Sequence, residues 1–466
     1  MSSLVHCSSL STSLTCRELF STVAMHPWAM LLDSGASAHI DAKYDIMVFD
    51  PLYTLQSDDE KTLITDCKTN EQTYSYDNPF DVLEQILALA ELSDEGHQLP
   101  FTGGALGHFS YDLGRHCERI DQIAAKDIDL PVMAVGIYRS GIVFNRATNE
   151  VLLTTRGTAD QHQQALTQVN TLLATAKQHQ SPQQFQLRGA WRNQLTREQY
   201  DNKFQQVQRH LRAGNCYQIN LTQRFEANYQ GDEYQAYLTL ADQNNTPFSA
   251  FIRLEQGAIL SVSPERFIQC HQGFVETKPI KGTRPRSQDV EHDLLLAQEL
   301  RDSEKDQSEN LMIVDLLRND LGRSAKPGSV QVPKLFDIES FKNVHHLVST
   351  VTAELSSDVT TVGLLKNAFP GGSITGAPKI NAMNIIDQLE PHRRSIYCGS
   401  IGYISADNQM DTNITIRTLL CLNKTEQEKE IFCWAGGGIV ADSQVDAEYQ
   451  ECFDKVASIL PLLAGE

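Results

Sequence analysis

An amine and a carboxylate that could act together stand sixteen residues apart, at Lys281 and Glu265. Two apolar runs, 258–262 and 273–280, read as neighbouring strands joined by a turn at His271-Gln272-Gly273. Glu265 follows Pro264 at the end of the first run, and Lys281 sits between Ile280 and Gly282 at the end of the second. An antiparallel pair would bring the two charges near each other. A lysine held among apolar groups loses solvation of its charged form, so its pKa falls and free amine becomes available as a nucleophile. Gly282 lets the backbone approach a ligand, and Thr283, Arg284 and Arg286 add a hydroxyl and two fixed positive charges. The same residue types also describe a strand end carrying solvated charges.

Two acid pairs share a helical spacing. Asp306 and Glu309 are three apart, as are Glu448 and Glu451, so each pair projects from one helix face. Clustered carboxylates offer hard oxygen ligands that suit Mg2+, although such pairs are also common on solvated helices. His346, in the apolar run 341–351, is either a satisfied core residue or a site group. Arg417 falls in an alternating stretch, with Asn413 and Thr415 on its face and Ile414 and Ile416 on the other, where it could hold a carboxylate by two bonds. Gly436, Gly437 and Gly438 follow an apolar strand, and read as an anion-binding run of bare amides, a bulge or a tight crossing. Residues 369–379 read as a loop opening a helix, with Ser373 or Thr375 as cap and Pro378 in the first turn. The loop lacks the Lys-Ser or Lys-Thr of a nucleotide-binding loop, which excludes nucleotide hydrolysis.

The elements that must position these groups are mixed. Strands are predicted over 27–35, 103–112, 133–145 and 150–155, the last two forming a hairpin around residues 146–149, and again over 214–222, 396–405 and 410–420. Helices are predicted over 81–92, 196–213 (capped by Thr196) and, with a possible interruption, 289–323. No regular β-α-β rhythm is present, so the class is α+β. Length, 466 residues, allows one large or two ordinary domains. The Gln- and His-rich stretch 159–195, broken at Ser181-Pro182, reads as a polar linker between an N-terminal region, 25–158, and a C-terminal region, 196–464. The Ser-rich segment 1–24 is unassigned.

With 59 Asp and Glu against 39 Lys and Arg, the net charge is −20, which argues against nucleic acid as the main partner. An anionic substrate would then need local positive charge or a metal. Ten cysteines without a C-x-x-C pair read as reduced thiols. No apolar stretch approaches the roughly 18 residues of a membrane span, and the start lacks the form of a secretory signal. A cytoplasmic location is expected.

Ser263-Pro264-Glu265-Arg266-Phe267, followed by Pro279-Ile280-Lys281-Gly282-Thr283-Arg284-Pro285-Arg286, resembles the chorismate-utilising enzymes. That family holds anthranilate synthase large subunits, aminodeoxychorismate synthase component I, and isochorismate and salicylate synthases. The match runs, with gaps, from about residue 25 to the C-terminus. It implies a large two-sheet antiparallel β-sandwich with flanking helices, of the anthranilate synthase component I type, whose N-terminal and C-terminal regions share one core. A lysine in the P-I-K-G-T position resembles the branch that makes 4-amino-4-deoxychorismate, a step toward 4-aminobenzoate and folate; anthranilate synthases usually carry alanine there.

The resemblance also implies the roles. Lys281 would be a covalent nucleophile and Glu265 the general acid. Gln218 stands where members that add ammonia carry glutamine and members that add water carry lysine. Glu309 and Glu451 would hold Mg2+ against a substrate carboxylate, with Glu448 and Asp306 as further ligands. Thr283 and His346 would contact chorismate, and Tyr403, Arg417 and Gly436–Gly438 would surround its enolpyruvyl carboxylate. Ser34, Asp41, Ala42, Lys43 and Tyr44, with Pro247, Phe248 and Ser249, match the family's tryptophan pocket. No glutamine-hydrolysing elbow is visible, so a separate glutamine amidotransferase subunit would supply the ammonia. Three alternatives stay open: anthranilate synthase, opposed by Lys281; isochorismate or salicylate synthesis, opposed by Gln218; and an inactive tryptophan-binding regulatory protein, opposed by the intact set of site residues.

Overall fold

The computed structural model describes the chain except residues 1–3, 36–38, 91, 93–96, 177–182, 342–343, 425–427 and 466. The expected break at Ser181-Pro182 lies outside the described residues. Among those described, two sheets of twelve strands each carry the fold, with every paired strand antiparallel. The apolar runs read from the sequence are strands because both their faces are covered. In Phe248–Arg253, Ala250 and Ile252 point into the core between the sheets, while Phe251 points to a second core on the outer face of the first sheet. Gly257–Ser263 and Thr418–Asn423 alternate in the same way. Period-two side chains buried on both sides give a nearly continuous apolar run.

The inter-sheet core joins Ile46, Ile252 and Ile259 of the first sheet to Leu55, Val135 and Ile268 of the second. Helices Cys16–Phe20, Ala159–Ala176 and Glu233–Asn244 contribute to the outer core. A third cluster packs helices Arg197–Arg212, Lys379–Leu389 and Val445–Asp454 against strand Gln218–Gln230. Thr196 caps its helix as expected, in a reciprocal box with Gln199. The hairpin at 146–149 joins Ser140–Asn145 to Glu150–Gly157, but Met133–Tyr138 belongs to the other sheet, so the chain changes sheets at Arg139. The segment expected as a linker holds the helix Ala159–Ala176 and the edge strand Gln186–Asn193. Residues 4–9 form an edge strand beside Glu150–Gly157. No described helix is long and apolar enough to cross a membrane.

Four sequence expectations are corrected where the chain changes sheets or turns sharply. The run 258–262 does not pair with 273–280. Gly257–Ser263 lies in the first sheet, whereas Arg266–His271 and Phe274–Thr277 form the hairpin, in the second. The expected hairpin 396–405/410–420 is shorter: Ser400–Ser405 pairs with Met410–Asn413, and Thr418–Asn423 then joins the first sheet. Residues 414–417 therefore form a crossing, Arg417 has φ +49°, and the strand alternation read through Arg417 does not hold. The interruption expected in the long helical region, by contrast, is present: it divides at Ser303 into Val290–Asp302 and Glu304–Gly322, Ser303 capping the second. Ser373 and Thr375 do not cap the helix at 379, because Pro378 occupies the cap position and their hydroxyls bond elsewhere.

Candidate active site

Glu265 and Arg417 both sit on crossings between the sheets. These crossings are fastened together: Ser263 Oγ donates to Ile414 O (2.6 Å) and Ile414 N–H to Glu265 O (3.0 Å). Glu265 is 6% exposed, and its Oε1 accepts from Ser373 Oγ at 2.8 Å. Burial raises its pKa above the usual carboxylate value, against the opposing pull of Ser373, Lys281 and Lys455. Lys281 comes from another direction, on strand Ile280–Pro285, paired with Val344–Glu354. A register shift between Lys281 and Thr283 centres on Gly282, whose φ is +71°. A Cβ at Gly282 would lie 2.9 Å from the Asp306 carboxylate and 2.8 Å from Leu300. The glycine thus lets both helices of the pair close over the strand.

The Lys281 amine makes no ion pair or hydrogen bond among the described residues. Burial lowers its pKa, Lys455 lowers it further, and Glu309, Glu265 and Glu451 pull the other way. The sequence pairing of amine and carboxylate therefore holds through a different path: two sheets and a crossing, not one hairpin.

Around this pair stand the expected carboxylates. Burial raises the pKa of Glu309, whose Oε1 is 3.9 Å from Lys305. Glu448 Oε1 accepts from Ser443 Oγ (2.7 Å), and its pKa is raised by burial. Its Oε2 is buried without a hydrogen-bond partner among the described residues. Gly437 lies under both glutamates; a Cβ there would be 3.1 Å from Glu448 Oε2 and 3.1 Å from Glu451 Oε1. An orphaned carboxylate oxygen beside a second carboxylate, cradled over bare backbone, fits a divalent cation. Asp306 stands farther along, 3.4 Å from Arg284.

One residue here was missed from sequence. Lys455 lies 2.6 Å from Glu451 Oε1 and donates to Gly436 O (2.7 Å). Burial would raise the Glu451 pKa, but Lys455 outweighs it and the net shift is downward. Its spacing of four from Glu451 on one helix was the available signal.

Thr283 Oγ1 and His346 Nδ1 are 2.9 Å apart across the strand pair. Burial, with Arg417 nearby, lowers the His346 pKa to about 4, so the ring is neutral at pH 7. His345 bonds Ser340 and Asp293 instead. The Arg417 guanidinium makes no ion pair or hydrogen bond among the described residues, and burial lowers its pKa. An inward cation without a carboxylate suits an anionic ligand. The glycines 436–438 are ladder residues opposite Thr222, Leu221 and Asn220, not a separate nest. Pairing on their other side stops at Cys433, so among the described residues that edge carries no strand.

A second cavity, of about 440 Å³, opens elsewhere. Ser34, Asp41, Lys43 and Tyr44 line it from one segment, and Pro247, Phe248 and Ser249 from another; Ala42 is not in the lining. Tyr403, expected with Arg417, lines this cavity, its ring edge-on to Phe101. Arg266 spans the wall, bonded to Asp411 and Asp41. His39, Asp41 and Glu339 lie close enough together to suggest a metal group. Lys278, 3.2 Å from Asp41 and 2.5 Å from Glu339, already neutralises it.

The model of the chorismate binding enzyme family matches residues 29–461. The chain is 52% identical over 447 residues to aminodeoxychorismate synthase component 1 of Escherichia coli (strain K12), covering 95% of both. It is 34% identical over 438 residues to aminodeoxychorismate synthase component 1 of Streptomyces lividans, covering 92% of this chain and 88% of that one. The crystal structure of anthranilate synthase component I from Streptococcus pneumoniae TIGR4 superimposes with a TM-score of 0.77 at 30% identity, covering 91% of this chain and 93% of that one. The chain belongs to the chorismate binding enzyme family, and its likeness to aminodeoxychorismate synthase component 1 runs through nearly the whole length of both.

Proposed function

We propose that the protein converts chorismate and ammonia into 4-amino-4-deoxychorismate and water, supplying 4-aminobenzoate and folate synthesis in the cytoplasm. The carrying observation is the half-buried Lys281 amine, unpaired among the described residues, in one site with the buried Glu265 carboxyl, their pKa values displaced toward each other. A neutral amine and a protonated acid are the forms a nucleophile and a general acid need.

Neutral Lys281 Nζ forms a bond to ring carbon C2. Both conjugated ring double bonds shift by one position, the C4–O bond breaks, and Glu265 gives its proton to the departing hydroxyl, which leaves as water. Ammonia then bonds to C4, both double bonds shift back, and the C2–Nζ bond breaks. A proton from the added ammonia compensates the one that Glu265 gave up, restoring both residues. Ser373 holds Glu265 Oε1 and leaves the other oxygen for proton transfer. Arg417 binds the enolpyruvyl carboxylate, and Thr283 and His346 orient the ring. Glu309, Glu451 and Glu448, with Asp306 more remote, would hold Mg2+, which supplies positive charge for the ring carboxylate. A glutamine amidotransferase supplies the ammonia, in keeping with the "component 1" names of the relatives. The second cavity takes tryptophan on this reading, with Arg266, Asp41 and Lys43 as its charged wall.

The test is intact-protein mass spectrometry after mixing with chorismate and Mg2+ in the absence of ammonia. A chorismate-derived adduct should map to Lys281. Lys281→Ala should lose the adduct and lower formation of 4-amino product a thousandfold or more, about 4 kcal/mol of barrier. It is also expected to gain a trace of anthranilate by direct attack of ammonia at C2. An unmodified Lys281 peptide, with a Lys281→Ala enzyme near wild-type rate, would reduce the lysine to a bystander.

A further inference from the structure

Gln218 is 1% exposed, yet its Oε1 has no hydrogen-bond partner among the described residues. A buried acceptor left bare costs stability, so an unpaired one of fixed orientation asks for a donor from a ligand. The orientation is fixed by a relay. Asn220 Nδ2 donates to Ser373 O (3.2 Å), which turns Asn220 Oδ1 toward Gln218, and Gln218 Nε2 donates to that oxygen at 3.0 Å. The only position left for Gln218 Oε1 is then the unpaired one. Gly438 leaves the space in which the Gln218 amide lies.

The frame behind the relay is rigid. Arg394 donates to Asn220 O (2.9 Å) and Ile374 O (3.0 Å), tying the strand to the loop that carries Ser373, and Glu390 holds Arg394 in turn. Ser373 closes the circuit, since its hydroxyl holds Glu265 while its carbonyl holds Asn220.

We infer that Asn220 is a positioning residue for the nitrogen nucleophile: it locks the Gln218 amide so that Oε1 accepts an N–H of incoming ammonia. The inference rests on the reading of the reaction as ammonia addition. Ammonia carries three donors and one lone pair, and a fixed acceptor on an N–H leaves the lone pair free to face carbon. A rotated amide would present N–H donors to a molecule that has only one acceptor site, the one needed for bond formation. Asn220 itself does not touch the reacting atoms.

Asn220→Leu keeps the size and removes both polar contacts. Steady-state kinetics with ammonium, expressed as free ammonia, should show KM for ammonia raised tenfold or more and KM for chorismate within twofold of wild type. Gln218→Leu should show the same pattern, and the double variant should be no worse than Gln218→Leu alone, because both act through one oxygen. If Asn220→Leu fails to fold, Asn220→Ala carries the same comparison. Unchanged ammonia dependence, a defect confined to chorismate, or multiplying effects in the double variant would overturn the role of Asn220 while leaving the reaction intact. A wild-type enzyme that makes no 4-amino product with ammonium would overturn the reaction and this inference together.

Discussion

At the scale of single residues, the site depends on moving two ordinary groups away from their solution behaviour. Glu265 is raised from 4.5 and Lys281 lowered from 10.5, in both cases chiefly by burial. Under the proposed mechanism, productive attack needs Glu265 protonated and Lys281 neutral. Below the Glu265 pKa both groups carry protons and the amine is lost. Above the Lys281 pKa both are deprotonated and the acid is lost. Between them the active arrangement is a minor tautomer, whose share grows tenfold for each unit by which the two values approach. The rate of adduct formation without ammonia should therefore be bell-shaped, with its acid limb above pH 4.5 and its alkaline limb below pH 10.5. Stopped-flow or quenched mass spectrometry across pH would check this. A rate that kept rising to an alkaline limb at or beyond 10.5 would mean that the lysine is not desolvated in the working enzyme.

At the scale of elements, the decisive device is the break in the strand that carries Lys281. Gly282 takes φ +71° and leaves no room for a side chain between the strand and Asp306 and Leu300. Gly282→Ala should cost about 1–3 kcal/mol in stability from the left-handed backbone and the close contact. It should also push the helices Val290–Asp302 and Glu304–Gly322 off the strand, moving Asp306 and Glu309 relative to Lys281. Thermal unfolding and steady-state kinetics measured together give the check: a lower Tm with activity reduced at least tenfold at a temperature where the variant is folded. Full activity would show that the helix pair does not need this close approach.

The whole molecule has each sheet completed by strands from both halves of the chain. In the first sheet Met30–Asp33 pairs with Phe248–Arg253, and in the second Gly104–Phe109 pairs with Ser400–Ser405. A fragment covering 196–464 would keep all of the proposed catalytic residues but expose a strand edge in each sheet and half of the inter-sheet core. Expressed alone, it should be aggregated and inactive. Gel filtration would decide the matter, and a monodisperse, folded fragment would show that the two halves are separable after all.

The chemistry-bearing motifs were legible because they are local. P-I-K-G-T, the two acid pairs at helical spacing and the capped helix at 196 are each set by neighbours within a few positions, which is what spacing records. Apolar alternation likewise marked most strands, since a strand buried on both faces needs side chains of one kind throughout. Partnership was not legible. Run 258–262 looks like the mate of 273–280, yet the chain changes sheets at Pro264, and period-two alternation is the same whichever sheet a strand joins. Arg417 looked like a strand residue because its crossing is only four residues long, too short to disturb the pattern. Lys455 escaped notice, and Ser373 was read only as a helix cap, because their importance lies in what faces them from distant segments, Gly436 and Glu265. The sequence by itself determined the family and the α+β class, and it named the side chains proposed as reactive. Only the tertiary structure decided that Lys281 stays unpaired, that Glu265 is sealed behind Ser373 and that Gln218 keeps a bare oxygen, because burial and pairing are properties of what packs around a residue.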